Sequence, residues 1–546
     1  MKYILGFLLT ALSFSSPVHI PVQLAGNFGE PRPNHFHGGI DIKTDRGVNF
    51  GVYSVADGYV TRVIVEKYGF GYALVIAHPN GHSSIYVHLN RFAPQIEAAV
   101  KQWQYKNHQF SGDISFTPGQ IAVHKGQFIG LSGSTGASQA PHLHLEYHET
   151  KTGVMLDPLI PLSHILTDNT PPIAYSFKSF PLPGEGVFQH TQESRVFGFS
   201  KQKFEAWGKV GFAIFAHDNM DSVYNNLGVR YIQLYCDGKL VFSSNVNEIP
   251  ANNNPMINVW GDFEHYQRSH IWFLKSFIEP SNRLPILWAD KDKGIINFNQ
   301  SRDYHLKYVL KDYYGNKSEK EFIVRGRPEK IVQMVKNNSP YLIQPTRHNI
   351  LRFKSVKLEV GKYLLSKNYL LHPQILPISD AVSFGYRFQP NSTFLLGEGT
   401  IHIKINKNIP DPSKLFIASC GSMNEISANL RFLSSTYKNG WVSGKIRDLG
   451  KIYYAAYDDI PPTIQLKNTN PRDIIIKLAD NASGIRNYEC YIDNQFALFT
   501  FGKDSRVIRC NLFDTPILPA KKERELKVIA KDNVGNTKQF KAIIKY

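Results

Sequence analysis

The chain has 546 residues, a formal net charge of +17 and four cysteines. At about 100–200 residues per domain, this length predicts three to five domains. With 42% hydrophobic and 13% aromatic residues, the composition excludes a disordered polymer. The basic residues are spread along the whole chain, and no RNP, zinc-finger or helix-turn-helix pattern accompanies them, so we expect anionic polymers or lipid headgroups as partners and no nucleic acid.

The N-terminus has the pattern of a secretory signal. Met1-Lys2 is followed by an apolar run over residues 3–14 and by Ser15-Ser16-Pro17, which predicts a signal peptide over residues 1–18. We therefore expect an exported protein, either periplasmic or secreted and associated with the cell envelope. The run is shorter than the roughly 20 residues that a bilayer requires, and no comparable run recurs, so no transmembrane span is expected after removal of the signal.

Cysteine chemistry contributes little to the expected function. Four cysteines are too few for a disulfide-built scaffold, and none forms the C-x-x-C pair of a thiol zinc site. Cys490 and Cys510 belong to one predicted domain and could pair in an oxidising compartment.

Short β-rich runs separated by Gly, Pro, Asn and Asp dominate the chain, which predicts a mainly β fold. Asn80-Gly81 lies between two such runs and predicts a hairpin with a type I′ turn. Residues 93–107 are the exception, because Ile96, Val100 and Trp103 recur there at helical spacing.

An internal repeat organises the rest of the chain. Residues 168–172 and 458–462 open two similar segments, each continuing through Asp/Asn/Gly clusters and alternating strands. We interpret the segments 166–328 and 458–546 as two immunoglobulin-like β-sandwiches, the first with long insertions, and 329–457 as a third β module. The Asp/Asn-Gly clusters could bind Ca²⁺, but turn formation is the favoured explanation for them.

Ten of the twenty histidines lie between His35 and His148, as a metal site would require. The pattern H-x(3)-D joins His37 to Asp41, and the glycines between them disfavour a helix. His142 and His144 alternate as in a strand, which places both imidazoles on one face. The glycine-rich residues 130–136 just upstream predict a tight loop beneath a cleft.

These segments resemble the lysostaphin/LytM-type zinc metallopeptidases, whose pattern is H-x(3)-D, Tyr-x-His-Leu and then H-x-H after a Gly/Ser loop. The second element is Tyr86-Val87-His88-Leu89. The likeness extends to residues 28–29, 55–60 and 157–158, covers about residues 24–162 and predicts a LytM-type β-sheet peptidase domain over residues 20–165. Three β-sandwich modules would follow it. The helical residues 93–107 depart from the family spacing.

The resemblance implies that His37, Asp41 and His144 bind one Zn²⁺ per chain and that His88 and His142 act in catalysis. It further implies a peptidoglycan endopeptidase that hydrolyses peptide crosslinks with a zinc-activated water. The β modules would place the enzyme on peptidoglycan, on other envelope polymers or on proteins. Glu146 shares the face of His142 and His144 if the strand is regular, and a structural role is favoured for it.

Three other interpretations remain open. A catalytically silent LytM-type module could regulate other cell-wall hydrolases, two histidines with one carboxylate also describe a non-haem iron site, and each histidine taken singly could be an ordinary surface or core residue. Six histidines have no motif position, and we expect them at the surface or behind the ligands: His35, His78, His82, His108, His124 and His148.

Overall fold

The computed structural model describes residues 14–44, 47–221, 223–333, 338–425, 430–501, 506–517 and 523–545. Residue contacts divide the chain into two compact units, Met1–Val100 with Asp113–Lys336, and Lys101–Gly112 with Asn337–Tyr546. Most of the predicted signal peptide lies outside the described residues, whereas Phe14 is buried against the ring of Tyr147. Within the described ranges, no helix is long and apolar enough to cross a membrane.

The N-terminal part of the first unit is built on an antiparallel sheet. Its strands are β1 (Leu24–Gly26), β2 (Pro31–Arg32), β3 (His35–Phe36), β4 (Gly39–Lys43), β5 (Gly51–Tyr53), β6 (Gly58–Val65), β7 (Tyr72–Ala77), β8 (His82–Leu89), β9 (Arg91–Phe92), β10 (Gly112–Ser115), β11 (Ala122–Val123), β12 (Phe128–Leu131), β13 (His142–Glu149) and β14 (Met155–Leu156). The main sheet has the order β1-β4-β13-β8-β7-β6-β10, and β5-β12-β9 form a smaller sheet. The helices are α1 (Pro94–Asn107), whose residues from 101 onward are counted with the second unit, and α2 (Leu159–Leu162), followed by a 3₁₀ turn at Ser163–Ile165.

Alternation in β4 and β13 separates the core from the chemistry. Ile40 and Ile42 of β4 and Leu143 and Leu145 of β13 are fully buried on one face of the sheet. Successive side chains of a strand point to opposite faces, so the residues between these apolar positions lie together on the other face. Those residues include the candidate ligands.

Two local predictions have different outcomes. The predicted helix is present as α1. The hairpin between β7 and β8 is also present, but its predicted type I′ turn is wrong, because Gly81 has a positive φ of 83° and Asn80 does not. The Gly81 N–H donates to the His78 carbonyl, and the His78 N–H donates to the His82 carbonyl. The hairpin is therefore closed by a turn with one left-handed residue, Gly81, in place of the type I′ turn, which requires two.

The rest of the first unit is a module with a phenylalanine core. Its strands are β15 (Ile173–Phe188), β16 (Arg195–Gly198), β17 (Lys203–His217), β18 (Tyr231–Cys236), β19 (Lys239–Asn245), β20 (Glu248–Ile249), β21 (Leu274–Lys275), β22 (Leu287–Ala289), β23 (Ile296–Phe298), β24 (Asp303–Lys311) and β25 (Lys317–Gly326). The strand order is β16-β15-β17-β25-β24-β18-β19-β22. Phe177 stacks on Phe322 and meets Phe204 edge to face, an arrangement that stabilises a core beyond its buried area.

The predicted insertion of this module folds into short helices. They are a 3₁₀ helix at Ala251–Met256, α3 (Ile257–Trp260) and α4 (Phe263–Ser269). The side chain of Asp262 caps α4 by accepting from the His265 N–H, as expected of an N-cap aspartate. Trp260 is buried, and its ring lies 6.1 Å from that of Phe36.

The second unit contains two further β modules. The strands of the first are β26 (Leu342–Ile343), β27 (Asn349–Phe353), β28 (Val356–Val360), β29 (Tyr369–Leu370), β30 (Gln374–Leu376), β31 (Gly385–Arg387), β32 (Phe394–Lys404), β33 (Leu415–Cys420), β34 (Arg431–Leu433), β35 (Ser435–Lys438), β36 (Trp441–Asp448) and β37 (Ile452–Tyr457). The sheets β27-β28-β32-β36-β35 and β30-β31-β37-β33-β34 share one core that includes Leu358, Ile401 and Ile417. Short 3₁₀ turns lie at Pro412–Lys414 and Met423–Glu425.

The last module has two four-stranded sheets. Its strands are β38 (Thr463–Asn468), β39 (Ile474–Ala479), β40 (Ile485–Ile492), β41 (Gln495–Phe496), β42 (Thr500–Phe501), β43 (Val507–Cys510), β44 (Glu523–Asp532) and β45 (Thr537–Lys545), with a 3₁₀ turn at Leu512–Asp514. The sheets are β38-β39-β43-β42 and β41-β40-β44-β45. Cys490 and Cys510 lie in their common core with free thiols, so the disulfide considered from the sequence is not formed. The prediction of a mainly β chain is confirmed.

Candidate metal centre

Strand pairing brings the three predicted ligands together. The register of β4 and β13 places His144 directly opposite Asp41, and His37 lies just before β4. Asp41 Oδ1 is 3.0 Å from His37 Nε2 and 2.7 Å from His144 Nδ1, and the two nitrogens are 2.9 Å apart. All three side chains are buried, so three potential ligand atoms converge on one point.

Two glycines allow this close approach of backbone to backbone. A Cβ on Gly39 would lie 2.1 Å from the Leu145 carbonyl oxygen, and one on Gly38 would lie 2.8 Å from Glu146 Oε1. Any larger residue at position 39 would push β4 away from β13. The Gly38-Gly39 pair inside the H-x(3)-D pattern is therefore a packing requirement of the site.

Each ligand is oriented by a second contact on its far side. The His37 Nδ1–H donates to the Asn27 carbonyl at 2.7 Å, and the His144 Nε2–H donates to Glu146 Oε1 at 2.9 Å. Arg32 Nη2 donates to Asp41 Oδ2 at 2.8 Å. Such contacts fix the tautomer of a ligating histidine and the direction of its free lone pair.

Burial and mutual contacts shift the titration of this group. Burial lowers the pKa of His37 to about 4, which favours the neutral imidazole that binds metal. Burial also opposes a charge on His144, but hydrogen bonds to Asp41 and Glu146 raise its pKa to about 9. The neighbouring imidazoles hold the pKa of Asp41 far below its usual range. A cation at the centre would therefore take the place of a proton between these groups.

The two predicted catalytic imidazoles lie on the more exposed side of the ligands. The His142 Nδ1–H donates to the Ala140 carbonyl and the His88 Nδ1–H to the Thr135 carbonyl, both at 2.8 Å. This tautomer leaves Nε2 of each ring as the free nitrogen. His142 Nε2 lies 3.3 Å from Asp41 Oδ1, and the ring centroids of His88 and His142 are 5.0 Å apart.

His88 reaches the centre because its strand is irregular. The register pairs His144 with Val87, so regular alternation would turn His88 towards the opposite face. The pairing of β7 and β8 instead shifts between Tyr72 and Leu74, and His88 has a positive φ of 62°. A bulge of this kind redirects a side chain, and a positive φ is uncommon for a residue other than glycine.

The predicted Gly/Ser loop supports His88 from below. Gly136 approaches Gly71 so closely that a Cβ on Gly136 would lie 2.3 Å from the Gly71 nitrogen. Thr135, the residue before Gly136, makes two hydrogen bonds to the end of β8. Its hydroxyl donates to the Leu89 carbonyl, and its own carbonyl accepts from the His88 Nδ1–H. The loop is therefore an anchor for the imidazole.

The remaining histidines of the region divide into two groups. His148 Nε2 lies 2.7 Å from Glu146 Oε2, behind the ligand His144. His78 is buried and contacts the Asp57 carbonyl and Ser84 Oγ, away from the centre. The other four are not brought to the ligands: His35, His82, His108 and His124.

Sequence reasoning missed the residues that hold the His37 segment in place. The Phe36 N–H donates to Asn254 Oδ1 at 2.6 Å, and the Asn34 N–H donates to Asn258 Oδ1 at 3.2 Å. Both asparagines belong to the insertion of the following module. Asn27 and Arg32 belong to no sequence motif either. Asn27 acts through its backbone carbonyl, which any residue has, and a single arginine forms no recognisable pattern.

The donor set fits zinc. Tetrahedral Zn²⁺ with nitrogen and oxygen ligands at about 2.0–2.1 Å needs ligand atoms about 3.3 Å apart. The observed separations are 2.7–3.0 Å, so the group would open by only about 0.5 Å to receive the ion. Two imidazoles and one carboxylate would supply three of the four ligands of a tetrahedral ion.

Comparisons with known proteins match two parts of the chain to known families. Residues 35–105 match Peptidase family M23, and residues 340–458 match the Zu5-like domain. An uncharacterized metalloprotease of Haemophilus influenzae is 32% identical over 120 residues, which are 22% of this chain and 19% of that protein. The DD-carboxypeptidase/endopeptidase Mpg of Neisseria meningitidis serogroup B is 34% identical over 110 residues, 20% of this chain and 19% of that protein.

Among solved structures, a zinc-containing peptidase from Vibrio cholerae is 27% identical, with a TM-score of 0.20. The match covers 27% of this chain and 39% of that chain. The chain thus spans about a fifth of the length of the two curated relatives.

Proposed function

Because the chain carries a metallopeptidase domain of the Peptidase family M23 type, we propose that it is a zinc-dependent endopeptidase that hydrolyses peptide crosslinks of peptidoglycan. The observation that carries this proposal is the convergence of His37, Asp41 and His144 beside two imidazoles whose Nε2 atoms are free. Three ligands with one open position are the arrangement of a catalytic rather than a structural zinc site.

The chemistry divides between the ion and the two imidazoles. Zinc would lower the pKa of a bound water towards about 7 and polarise the scissile carbonyl. His142 Nε2, 3.3 Å from Asp41 Oδ1, would accept the proton of the attacking water as general base and then return it to the leaving amine as general acid. His88 is held by the Thr135 carbonyl, and a proton on its Nε2 would let it donate a hydrogen bond to the oxygen on which negative charge develops.

Peptidoglycan is the proposed substrate on two grounds. The Neisseria relative is named a DD-carboxypeptidase/endopeptidase, and DD peptide bonds are characteristic of peptidoglycan stem peptides. The formal charge of +17 also favours adsorption to anionic envelope polymers. Export by the N-terminal signal to the periplasm or the cell surface would bring the enzyme to this substrate.

The β modules complete the proposal. We assign residues 20–165 to the peptidase domain, 166–328 and 458–546 to immunoglobulin-like sandwiches and 329–457 to the intervening module. The match of residues 340–458 to the Zu5-like domain supports a separate module there. Together they would hold the enzyme on envelope polymers or proteins.

Purified zinc-loaded protein should release crosslink-cleaved muropeptides from peptidoglycan, identified by mass spectrometry. His144→Ala should abolish both zinc retention and release, whereas His142→Ala and His88→Ala should retain zinc and lower kcat by about 10²–10⁴-fold. His124→Ala is the matched control, because that side chain is 86% exposed and lies outside the site. An active His144→Ala variant, or a zinc-loaded wild type that releases nothing, would contradict the proposal.

A further inference from the structure

A second group of candidate ligands lies in the module that follows the peptidase domain. Asp168, Asp218 and Asp312 each offer a carboxylate oxygen within 4.8 Å of the others. They come from three connections: Asp168 precedes β15, Asp218 follows β17, and Asp312 lies between β24 and β25. The fold therefore gathers three carboxyl groups from distant parts of the sequence.

Turn formation explains two of these aspartates but not the third. Asp168 Oδ1 accepts from the Thr170 N–H at 3.0 Å, and both oxygens of Asp312 accept from Asn316, at 2.8 and 2.6 Å. Asp218 is only 5% exposed, and its Oδ1 has no hydrogen-bond partner among the described residues. A buried polar atom without a partner costs free energy of folding, so the unpartnered Oδ1 of Asp218 indicates that a ligand binds there.

In the described part of the chain no positive side chain is paired with this cluster, because Arg230, which lines the same cavity as Asp168 and Asp218, is paired with Asp157. None of the ion pairs found in the described ranges includes Asp168, Asp218 or Asp312. Burial, reinforced by the two neighbouring carboxylates, raises the pKa of Asp218 to about 8, and burial raises that of Asp168 to about 6. Asp168 and Asp218 also line one cavity, together with Tyr313 and Tyr314.

We propose that Asp168, Asp218 and Asp312 form a calcium site in the first β module. Carboxylate oxygens without nitrogen or sulfur donors select a hard cation, and Ca²⁺ accepts six to eight oxygens in flexible geometry, whereas Mg²⁺ requires a near-ideal octahedron. The ion would tie the segment that leaves the peptidase domain, at Asp168, to the ends of β17 and β24. We expect an affinity of about 10⁻⁴–10⁻³ M, as in extracellular modules.

The last module repeats the arrangement. Asp458, Asp480 and Asp532 also lie within 4.8 Å of one another, and Asp532 accepts from Asn536 as Asp312 does from Asn316. Asp480 is only partly buried, so the proposal is confined to the first module.

The test is calcium titration of the zinc-loaded full chain by isothermal calorimetry, comparing wild type with Asp218→Asn. The variant keeps the shape of the side chain and removes its charge, so it should bind one Ca²⁺ fewer per chain. Asp303→Asn, at an exposed aspartate of the same module paired with Arg325, should bind as wild type does. His144→Ala should also leave calcium binding unchanged, which separates this site from the proposed peptidase centre.

Thermal unfolding provides the second measurement. Without calcium, Asp218→Asn should unfold at a temperature equal to or above that of wild type, because it removes charge repulsion. With 10 mM Ca²⁺, chosen to be about ten times the upper affinity limit, wild type should gain a few degrees and the variant should not. Equal calcium stoichiometry in wild type and Asp218→Asn, or no calcium binding by wild type at that concentration, would overturn the proposal.

Discussion

Replacing Glu146 by glutamine should weaken zinc binding without disturbing the ligands themselves. Glu146 is 5% exposed and accepts from His144 Nε2 at 2.9 Å. A hydrogen bond to a charged acceptor contributes about 1.5–3 kcal/mol, against about 0.5–1.5 kcal/mol for a neutral one. The difference of about 1.5 kcal/mol corresponds to roughly tenfold weaker zinc binding. Glu146→Ala, which leaves the His144 Nε2–H unpaired, should cost up to about 100-fold.

Competition with a chromophoric chelator at fixed pH would measure both zinc dissociation constants. The matched control is Glu149→Gln, in the same strand, whose exposed carboxylate accepts from Thr152 and does not contact the ligands. If Glu146→Gln and Glu146→Ala both bound zinc within twofold of wild type, the inference that Glu146 orients His144 would be wrong.

Two further substitutions test how the site is held together. Gly39→Ala should destabilise the fold by about 3 kcal/mol and reduce zinc retention, because its Cβ would lie 2.1 Å from the Leu145 carbonyl oxygen. Thermal unfolding measures this against Gly198→Ala, where a Cβ would meet only Ser200 Oγ at an ordinary contact distance of 3.7 Å. Equal stabilities of the two variants would refute the expected clash. Asn254→Ala should weaken zinc binding about fivefold, because it removes a hydrogen bond of about 1 kcal/mol to the Phe36 N–H. Asn253→Ala loses only a contact to the Arg283 carbonyl and should bind zinc as wild type does. Equal zinc affinities of the two variants would contradict the inference that the insertion holds the His37 segment in place.

The candidate ligands came from the family resemblance, whereas the spacing of two neighbouring histidines has a direct geometric meaning. An i, i+2 pair such as His142 and His144 shares one face of any regular strand, and alternation also placed Glu146 beside them. The helix α1 followed from its apolar periodicity. These features depend on residues that are close together in the sequence, so one sequence is enough to predict them.

Other features depend on contacts that local patterns do not encode. His88 faces the centre only through a bulge that reverses the strand alternation, so periodicity alone would have assigned the position to Val87. The support from Asn254 and Asn258 comes from more than 200 residues away in sequence. The turn at Gly81 also differed from the predicted type I′ turn, because a glycine in the left-handed region is compatible with more than one turn type.

Pairing between β14 and β20 has a consequence for how the first unit unfolds. Met155 and Leu156 of the peptidase sheet pair with Ile249 and Glu248 of the next module, and buried Asp157 forms an ion pair with Arg230. A fragment ending near residue 165 would therefore expose an unpaired strand edge, which is a template for aggregation. It would also leave the Asp157 carboxylate without its partner Arg230. The peptidase domain and its neighbour should melt in a single cooperative transition.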